Sequence, residues 1–243
     1  MISKNTLKAA LARLVPQSVY LSINARAAAR DIASKRRWAP EIDSLPKFVH
    51  AGDTVIDVGA NHGLYAYHLS RLVGPSGTVH AFEPLPPNLQ ILRHTIKTHK
   101  LQNVILHAQG CGDENAQAGF CVPMEGSVPQ LACARQGTDG QKYKCDIVRL
   151  DDVIHTKISL LKIDVEGAEL FVLRGAARIL RESRPAILFE ADEHTVQFRY
   201  EQQRVFDFLK TFGYAFFGGA ANGRAFERRQ GFTTKGDYFA VAE

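Results

Sequence analysis

The nine residues Val55-Ile56-Asp57-Val58-Gly59-Ala60-Asn61-His62-Gly63 constrain the fold more tightly than any other stretch of the chain. Val55, Ile56 and Val58 are apolar and β-branched, the pattern of a short strand buried on both faces of a parallel sheet. Gly59 and Gly63 allow a sharp turn and a close approach of backbone to a ligand. Leu64-Tyr65-Ala66-Tyr67-His68-Leu69-Ser70-Arg71-Leu72 follows with apolar residues at helical spacing. Strand, glycine loop and helix in that order form a unit that binds nucleotide-like ligands.

Two neighbouring features narrow the ligand. A loop built for pyrophosphate reads G-x-G-x-x-G, whereas Gly59 to Gly63 reads G-x-x-x-G. Asp57 stands two residues before the first glycine, where a carboxylate opposes phosphate and suits a cationic amino-acid end. Thr78-Val79-His80-Ala81-Phe82-Glu83-Pro84 is a second strand closing on an acid. A carboxylate roughly twenty residues after the loop can accept both ribose hydroxyls. An adenosine that carries an amino acid and no phosphate is S-adenosylmethionine, which becomes the expected cofactor, with S-adenosylhomocysteine as product. A nicotinamide dinucleotide on an unusual loop, or a turn with no ligand, are the alternative readings.

From residue 53 onward strands and helices alternate, the mark of an α/β doubly wound sheet. Strands are expected at 54–58, 77–82, 103–108, 158–163 and 185–190, and helices near 63–73, 86–99, 168–181 and 201–212. Tyr214–Phe217 and Tyr238–Val241 read as a closing antiparallel pair joined by the polar loop Gly218–Gly236. Between 110 and 150 the alternation breaks. Phe120–Val122 and Lys144–Val148 look like added strands, with turns at Gly126-Ser127 and Gly137–Gly140, and this insertion is expected to wall the substrate side. Helical spacing at 3–14 and 17–37, and a short helical stretch from Pro40, predict an N-terminal helical cap over the sheet. The expected organisation is an extension over 1–50 and one domain over 51–243.

The 243 residues carry a net charge of +5, unevenly placed. Residues 1–38 hold eight lysines and arginines against Asp31 alone, leaving the rest of the chain slightly acidic. That distribution argues against a nucleic-acid groove across the domain. It fits a solvated helical face, or peripheral contact of residues 1–38 with a partner or an anionic membrane. No apolar run is long enough to span a bilayer, and no signal-peptide layout opens the chain, so a cytoplasmic location is expected. Cys111, Cys121, Cys133 and Cys145 form no CxxC pair, which speaks for reduced thiols rather than a zinc site or disulfides.

Chemistry concentrates in two further segments. In Leu160-Leu161-Lys162-Ile163-Asp164-Val165-Glu166-Gly167-Ala168-Glu169 a buried strand delivers Asp164 at its carboxyl end, with Glu166 in the turn that follows. Ligands of open α/β sheets bind at that edge, so both acids should face the crevice. Paired carboxylates can leave one poised as a proton acceptor, or bind a divalent metal through oxygen. Glu166 can instead favour a helix N-terminus, and Glu169 reads as helix surface. Arg184-Pro185-Ala186-Ile187-Leu188-Phe189-Glu190-Ala191-Asp192-Glu193-His194 also ends in acids. Glu190 and His194 are candidate bases, with solvation of Asp192, Glu193 and His194 as the plainer reading. His62 is the one histidine that sequence alone places beside the cofactor.

With these residues assembled, the chain resembles the FkbM family of S-adenosylmethionine-dependent methyltransferases, from about Thr54 to Ala191. The resemblance rests on Val55–Gly63, Ala81-Phe82-Glu83-Pro84, Leu150-Asp151-Asp152, Leu161–Glu169 and Arg184-Pro185. It implies a class I methyltransferase fold, Rossmann-like, and O-methylation of a hydroxyl on a sugar, glycan or natural product. It further implies that Asp57, Gly59, Asn61 and Gly63 line the methionine end of the cofactor, Glu83 holds the ribose, and Asp164 sits near the transferred methyl. Ala60 and Tyr65 complete the expected cofactor contacts, and Gly126-Ser127 would lie close by. The expected catalytic set is Asp164, Glu166, Glu190 and His194; no metal ligand is assigned, although a divalent ion bridging Asp164 and a neighbouring acid is a variant of the mechanism. The rival functions are an N-methyltransferase and a non-catalytic cofactor-binding module. The former usually shows an Asn/Asp-Pro-Pro-aromatic element where Asp164-Val165-Glu166-Gly167 stands.

Overall fold

The structure, a computed structural model, describes residues 16–122, 124–125, 128–129, 140–218 and 227–243. Its centre is an eight-stranded sheet of order β12-β11-β13-β10-β9-β1-β2-β3. The parallel core consists of β1 (Thr54–Val58), β2 (Thr78–Phe82), β3 (Val104–His107), β9 (Leu160–Ile163) and β10 (Ala186–Ala191). β11 (Tyr214–Gly218), β12 (Glu227–Arg229) and β13 (Gly236–Ala242) add antiparallel strands at one edge, β13 pairing with β10. β1 has β2 on one side and β9 on the other. The chain therefore reverses direction across the sheet at β1, and a crevice opens beyond the strand ends there.

Period-two alternation sorts β1 onto two faces. Ile56 and Val58 enter a core with Leu161, Ile163, Phe189 and Phe206. Val55 enters another with Leu69, Val73 and Leu188. The first core lies under α5 (Glu169–Arg174), α6 (Ala177–Glu182) and α7 (Gln203–Lys210). The second lies under α2 (Leu64–Val73) and the 3-10 helix Pro40–Lys47, whose Ile42 and Leu45 are buried against the sheet. α3 (Pro86–Thr98) joins α2 on that face through Leu92, Ala66 and Ala81.

The N-terminal helix α1 (Gln17–Ala33) packs largely on another helix, its Leu21, Ala25 and Ala28 against Ile91 of α3. Its Ile32 is buried with Tyr67 and Leu101 in a cluster that Val104 of β3 joins, and the 3-10 helix packs on the sheet directly. Small residues at 25 and 28 let the two helix backbones approach. α1 ends at Ala33 rather than near 37, where Lys35 turns left-handed at φ 56°. The helix expected at 3–14 lies outside the described residues.

Residues 110–148 form the separate sheet β4-β8-β5, with β4 (Gly110–Cys111), β5 (Ala116–Val122) and β8 (Gln141–Val148). A short ladder, β6 (Met124–Glu125) with β7 (Val128–Pro129), lies between them in sequence. After α4 (Leu150–Val153), the single helix expected at 168–181 is two. The Asp151 carboxylate accepts the N–H groups of Arg178 at 2.7 Å and Ile179 at 3.0 Å, starting α6 afresh. Cys111, Cys121 and Cys145 are free and buried. Among the described residues no helix is long and apolar enough to cross a membrane.

Candidate active site

A cavity of about 560 Å³ opens at the carboxyl ends of β1, β2 and β9. Gly59 and Asn61 line it from the glycine loop, and Glu83, Leu85 and Asn88 from the segment after β2. Gly110 to Gly112 and Ala116 to Phe120 supply an opposite wall, and Asp164, Val165 and Glu166 supply the floor. Phe171 and Phe198, with ring centroids 5.8 Å apart, close one end. Its size is that of a small-molecule or cofactor site.

The loop is shaped by its neighbours as much as by any ligand. Gly59 sits at φ 77°, and a Cβ there would stand 1.8 Å from the Asp164 carbonyl oxygen. That glycine is required because the turn after β9 crosses against it. Gly63 is also left-handed, at φ 92°, with Leu92 against the position of a Cβ. Between them Asn61 adopts φ 48°, a conformation asparagine tolerates better than most residues. Its N–H thereby donates to Glu83 Oε2 at 2.9 Å.

Glu83 is buried, and three internal donors hold it. Oε1 accepts the Leu85 N–H at 2.9 Å and Asn88 Nδ2 at 3.3 Å, and Oε2 accepts Asn61. Burial raises its pKa, against the pull of these bonds. Two lone pairs per oxygen leave one acceptor position open on Oε2, so the carboxylate has room for one sugar hydroxyl rather than two. Asn88 Oδ1 is buried without a hydrogen-bond partner among the described residues. An orphaned acceptor beside a carboxylate with one acceptor position open fits a nucleoside in this part of the cavity.

Asp57 takes a different place from the one its sequence position suggests. Alternation along β1 puts its carboxylate on the α2 face, fully buried and off the cavity wall. There it meets Lys162, its register partner on β9, at 3.3 Å. Lys162 Nζ also reaches Asp164 Oδ2 at 3.4 Å and the Gly59 carbonyl at 3.3 Å, and lies 4.7 Å from the centre of the Tyr65 ring. Burial favours the neutral amine, but Asp164 and Asp57 outweigh it and raise the pKa of Lys162. This ammonium ties β1, β9 and the glycine loop together. Sequence reasoning quoted Lys162 without giving it a role; its signal was a charge inside a four-residue apolar strand, which demands partners.

The structure thus brings Gly59, Asn61, Glu83, Asp164 and Glu166 onto one cavity. Ala60, Gly63 and Tyr65 are not on its wall; Tyr65 instead donates to Glu41 Oε2 at 3.3 Å, under the 3-10 helix. His62 Nδ1 lies 2.7 Å from Arg37 Nη1, away from the cavity. Gly126-Ser127 and the side chain of His194 lie outside the described residues.

Glu169 is not helix surface. It is buried, and Oε1 accepts the N–H groups of Val165 at 3.3 Å and Gly167 at 3.1 Å. Burial raises its pKa to about 7. Tyr200 pins the same turn, its hydroxyl donating to the Gly167 carbonyl at 2.6 Å. The turn is therefore held from below, and Glu166, left-handed at φ 56°, lines the cavity above it.

On the sheet face under the 3-10 helix, Glu190 of β10 stands opposite Asp237 of β13. Burial first, then Asp164, Asp192 and Glu166, raise the Glu190 pKa to about 7. Burial and the nearby Glu41 raise that of Asp237 to about 8. Glu41 and Asp237 carried no signal in the local sequence pattern, because distant segments bring them together. Among the described residues, no group of three or more His, Cys, Asp or Glu side chains is arranged to hold a metal ion.

Residues 57–216 match the family model described as Methyltransferase FkbM domain. The chain is 30% identical to the 31-O-demethyl-FK506 methyltransferase FkbM of Streptomyces tacrolimicus, covering 51% of this chain and 59% of that protein. It is 29% identical to Methyltransferase 1 of Beauveria bassiana, covering 50% and 57%. The chain thus spans under two thirds of the length of these curated relatives. Among solved structures, a methyltransferase FkbM from Methylobacillus flagellatus aligns with TM-score 0.53 at 18% identity, over 77% of this chain and 43% of that one. A putative rRNA methylase from Clostridium thermocellum aligns with TM-score 0.53 at 14% identity, over 82% and 90%. These structural likenesses concern the fold.

Proposed function

Since the chain belongs to the FkbM methyltransferase domain family, we propose that it is an S-adenosylmethionine-dependent O-methyltransferase acting on a hydroxyl of a sugar, glycan or natural product. The observation that carries this reading is the convergence of Gly59, Asn61, Glu83 and Asp164 on one cavity at the sheet's switch point. The relative from Streptomyces tacrolimicus, by its name a methyltransferase of the hydroxyl-bearing compound 31-O-demethyl-FK506, supports a hydroxyl acceptor.

When bound, the cofactor supplies a methyl on a positively charged sulfur, open to in-line displacement by an oxygen. The chain's contribution is placement and proton handling. Glu83 Oε2 and Asn88 Oδ1 hold the ribose, and the turn Asp164–Gly167, fixed by Glu169 and Tyr200, sets the floor beneath the reacting centre. Phe171 and Phe198 give one end of the cavity an apolar lining. The proton of the acceptor hydroxyl would pass to a carboxylate of this chain. Glu166 lines the cavity, while Glu190 stands off its wall, half-buried and with its pKa raised by burial to about 7; with His194 these are the candidate bases.

The test is a methyl-labelled S-adenosylmethionine assay against hydroxylated acceptors and their amine counterparts. Label recovered as a methyl ether is the expected result. Label on the amines alone would make the protein an N-methyltransferase. Tight cofactor binding with no transfer to any acceptor would favour a non-catalytic module.

A further inference from the structure

We infer that the outer face of the layer formed by α1 and α3 is a docking surface for a membrane carrying anionic lipid headgroups. Positions 19, 23, 26 and 30 of α1 fall on one narrow stripe at helical periodicity. All four side chains face solvent: Val19 is 43% exposed and Ile23 42%, and Arg26 and Arg30 are exposed beside them. The other side of α1 packs, Leu21, Ala25 and Ala28 meeting Ile91 of α3. α3 repeats the spacing with exposed Gln90, Arg93 and Lys97, and Lys100 is exposed just beyond its end. His99 Nε2 lies 3.0 Å from the Ala29 carbonyl, so the two helices run side by side in the same general direction.

The charge on this face is one-sided. From Val58 to Gly112, the span that holds α2 and α3, the one acid is Glu83, which is buried at the cavity. Across residues 16–40 the one acid is Asp31, flanked by Arg30 and Arg36 at 3.7 Å each. Arg26, Arg93, Lys97 and Lys100 have no ion-pair partner among the described residues. Burial, then Lys35 and Arg71, lower the His68 pKa to about 4 against the opposing Asp43, so the patch continues from the end of α1 onto α2. Residues 1–15 extend the composition in sequence, with Lys4, Lys8 and Arg13 and no acid.

Clustered basic side chains are drawn to the negative potential of an anionic leaflet, each worth about a fivefold gain in partition near the surface. A nucleic acid would use the same cations but would leave Val19 and Ile23 in water. A bilayer takes such apolar side chains into its headgroup boundary. That pair, on one stripe with two arginines, decides for the membrane.

Sedimentation of the full chain with phosphatidylcholine vesicles, with and without about one quarter phosphatidylserine, tests the surface. The expected result is partition into the anionic vesicles alone, falling steeply as salt rises from about 0.1 to 0.5 M. Arg26→Glu with Arg93→Glu should weaken partition about tenfold or more. Val19→Ser with Ile23→Ser should weaken it about fivefold. Lys142→Glu with Lys144→Glu makes the same charge change on exposed residues of β8 and should retain most of the binding. Melting curves confirm that each variant is folded. Absence of partition into anionic vesicles would overturn the assignment, and so would an equal loss in the β8 variant, which would mean that net charge alone drives binding. Unchanged binding of the Val19→Ser, Ile23→Ser variant would overturn it too, as would tighter binding to double-stranded RNA than to vesicles, which would give the face to a nucleic acid. Neither donor nor acceptor enters the measurement, so its outcome is independent of the methyl-transfer reading.

Discussion

At the scale of single residues, Lys162 is the side chain on which most of the site depends. One ammonium is the counter-charge of a fully buried carboxylate on β1, pairs with a carboxylate at the cavity floor and donates to a carbonyl of the glycine loop. Lys162→Met leaves Asp57 buried without its counter-charge, and removing one member of a buried pair typically costs about 3–5 kcal/mol. Urea denaturation should show a loss of that order; a loss under about 1 kcal/mol would mean that the pair does not carry the β1–β9 junction. Because Asp57 stands off the cavity wall, its effect on the cofactor runs through Lys162. Asp57→Ala and Lys162→Met are accordingly expected to weaken cofactor binding together.

Glu169 gives a pH signature. Its folded pKa of about 7 lies above the ordinary 4.5, so the folded chain holds the proton more firmly than the unfolded one. The stability this provides is complete below about pH 4.5 and is lost as pH rises to 7. Glu169→Gln keeps an acceptor for Val165 and Gly167 but cannot ionise. It should be more stable than the wild type near pH 8, by roughly 2 kcal/mol, and lose that advantage near pH 4.5. Denaturation curves at the two pH values check it, and a constant difference would contradict it.

At the scale of elements, what could be read from sequence was what local pattern controls. β1 appears where Val55, Ile56 and Val58 place it, and β2, β3, β9 and β10 fall within two residues of their expected ends. The break between α5 and α6 could not be read, because its cause, the Asp151 carboxylate, comes from another element 27 residues before Arg178. Glu169 looked like surface because helical charge usually is; its burial depends on Tyr200 and on the turn folding back over it. Asp57 was legible in principle, since it shares a strand face with Val55 and not with Ile56 or Val58. The docking of α1 rests on a seam of small residues, Ala25 and Ala28 against Ile91. Ala28→Glu should raise hydrogen exchange across Gln17–Ala33 while β1 and β9 stay protected. Equal exchange in the variant and the wild type would show that α1 is held by something other than this seam.

At the scale of the whole molecule, the fold brings a glycine loop, a nucleoside-sized recess and an acid-rich floor to one edge of one sheet. The loop that sequence read as shaped for a ligand is shaped first by the chain's own β9 turn, which Gly59 must clear. Its partner Glu83 lines the cavity, with three acceptor positions used internally and one left open. The inserted sheet β4-β8-β5 walls the same recess, which is why its length and composition carried no readable acceptor signature.

The most direct measurement is calorimetric titration of S-adenosylmethionine into the wild type and into Glu83→Ala, with melting curves to confirm that both are folded. The account expects one molecule bound per chain, with Kd in the micromolar range or below, and at least a tenfold weaker Kd for the variant, equivalent to about 1.4 kcal/mol. Absence of binding heat in the folded wild type, or equal affinity in the two proteins, would contradict it.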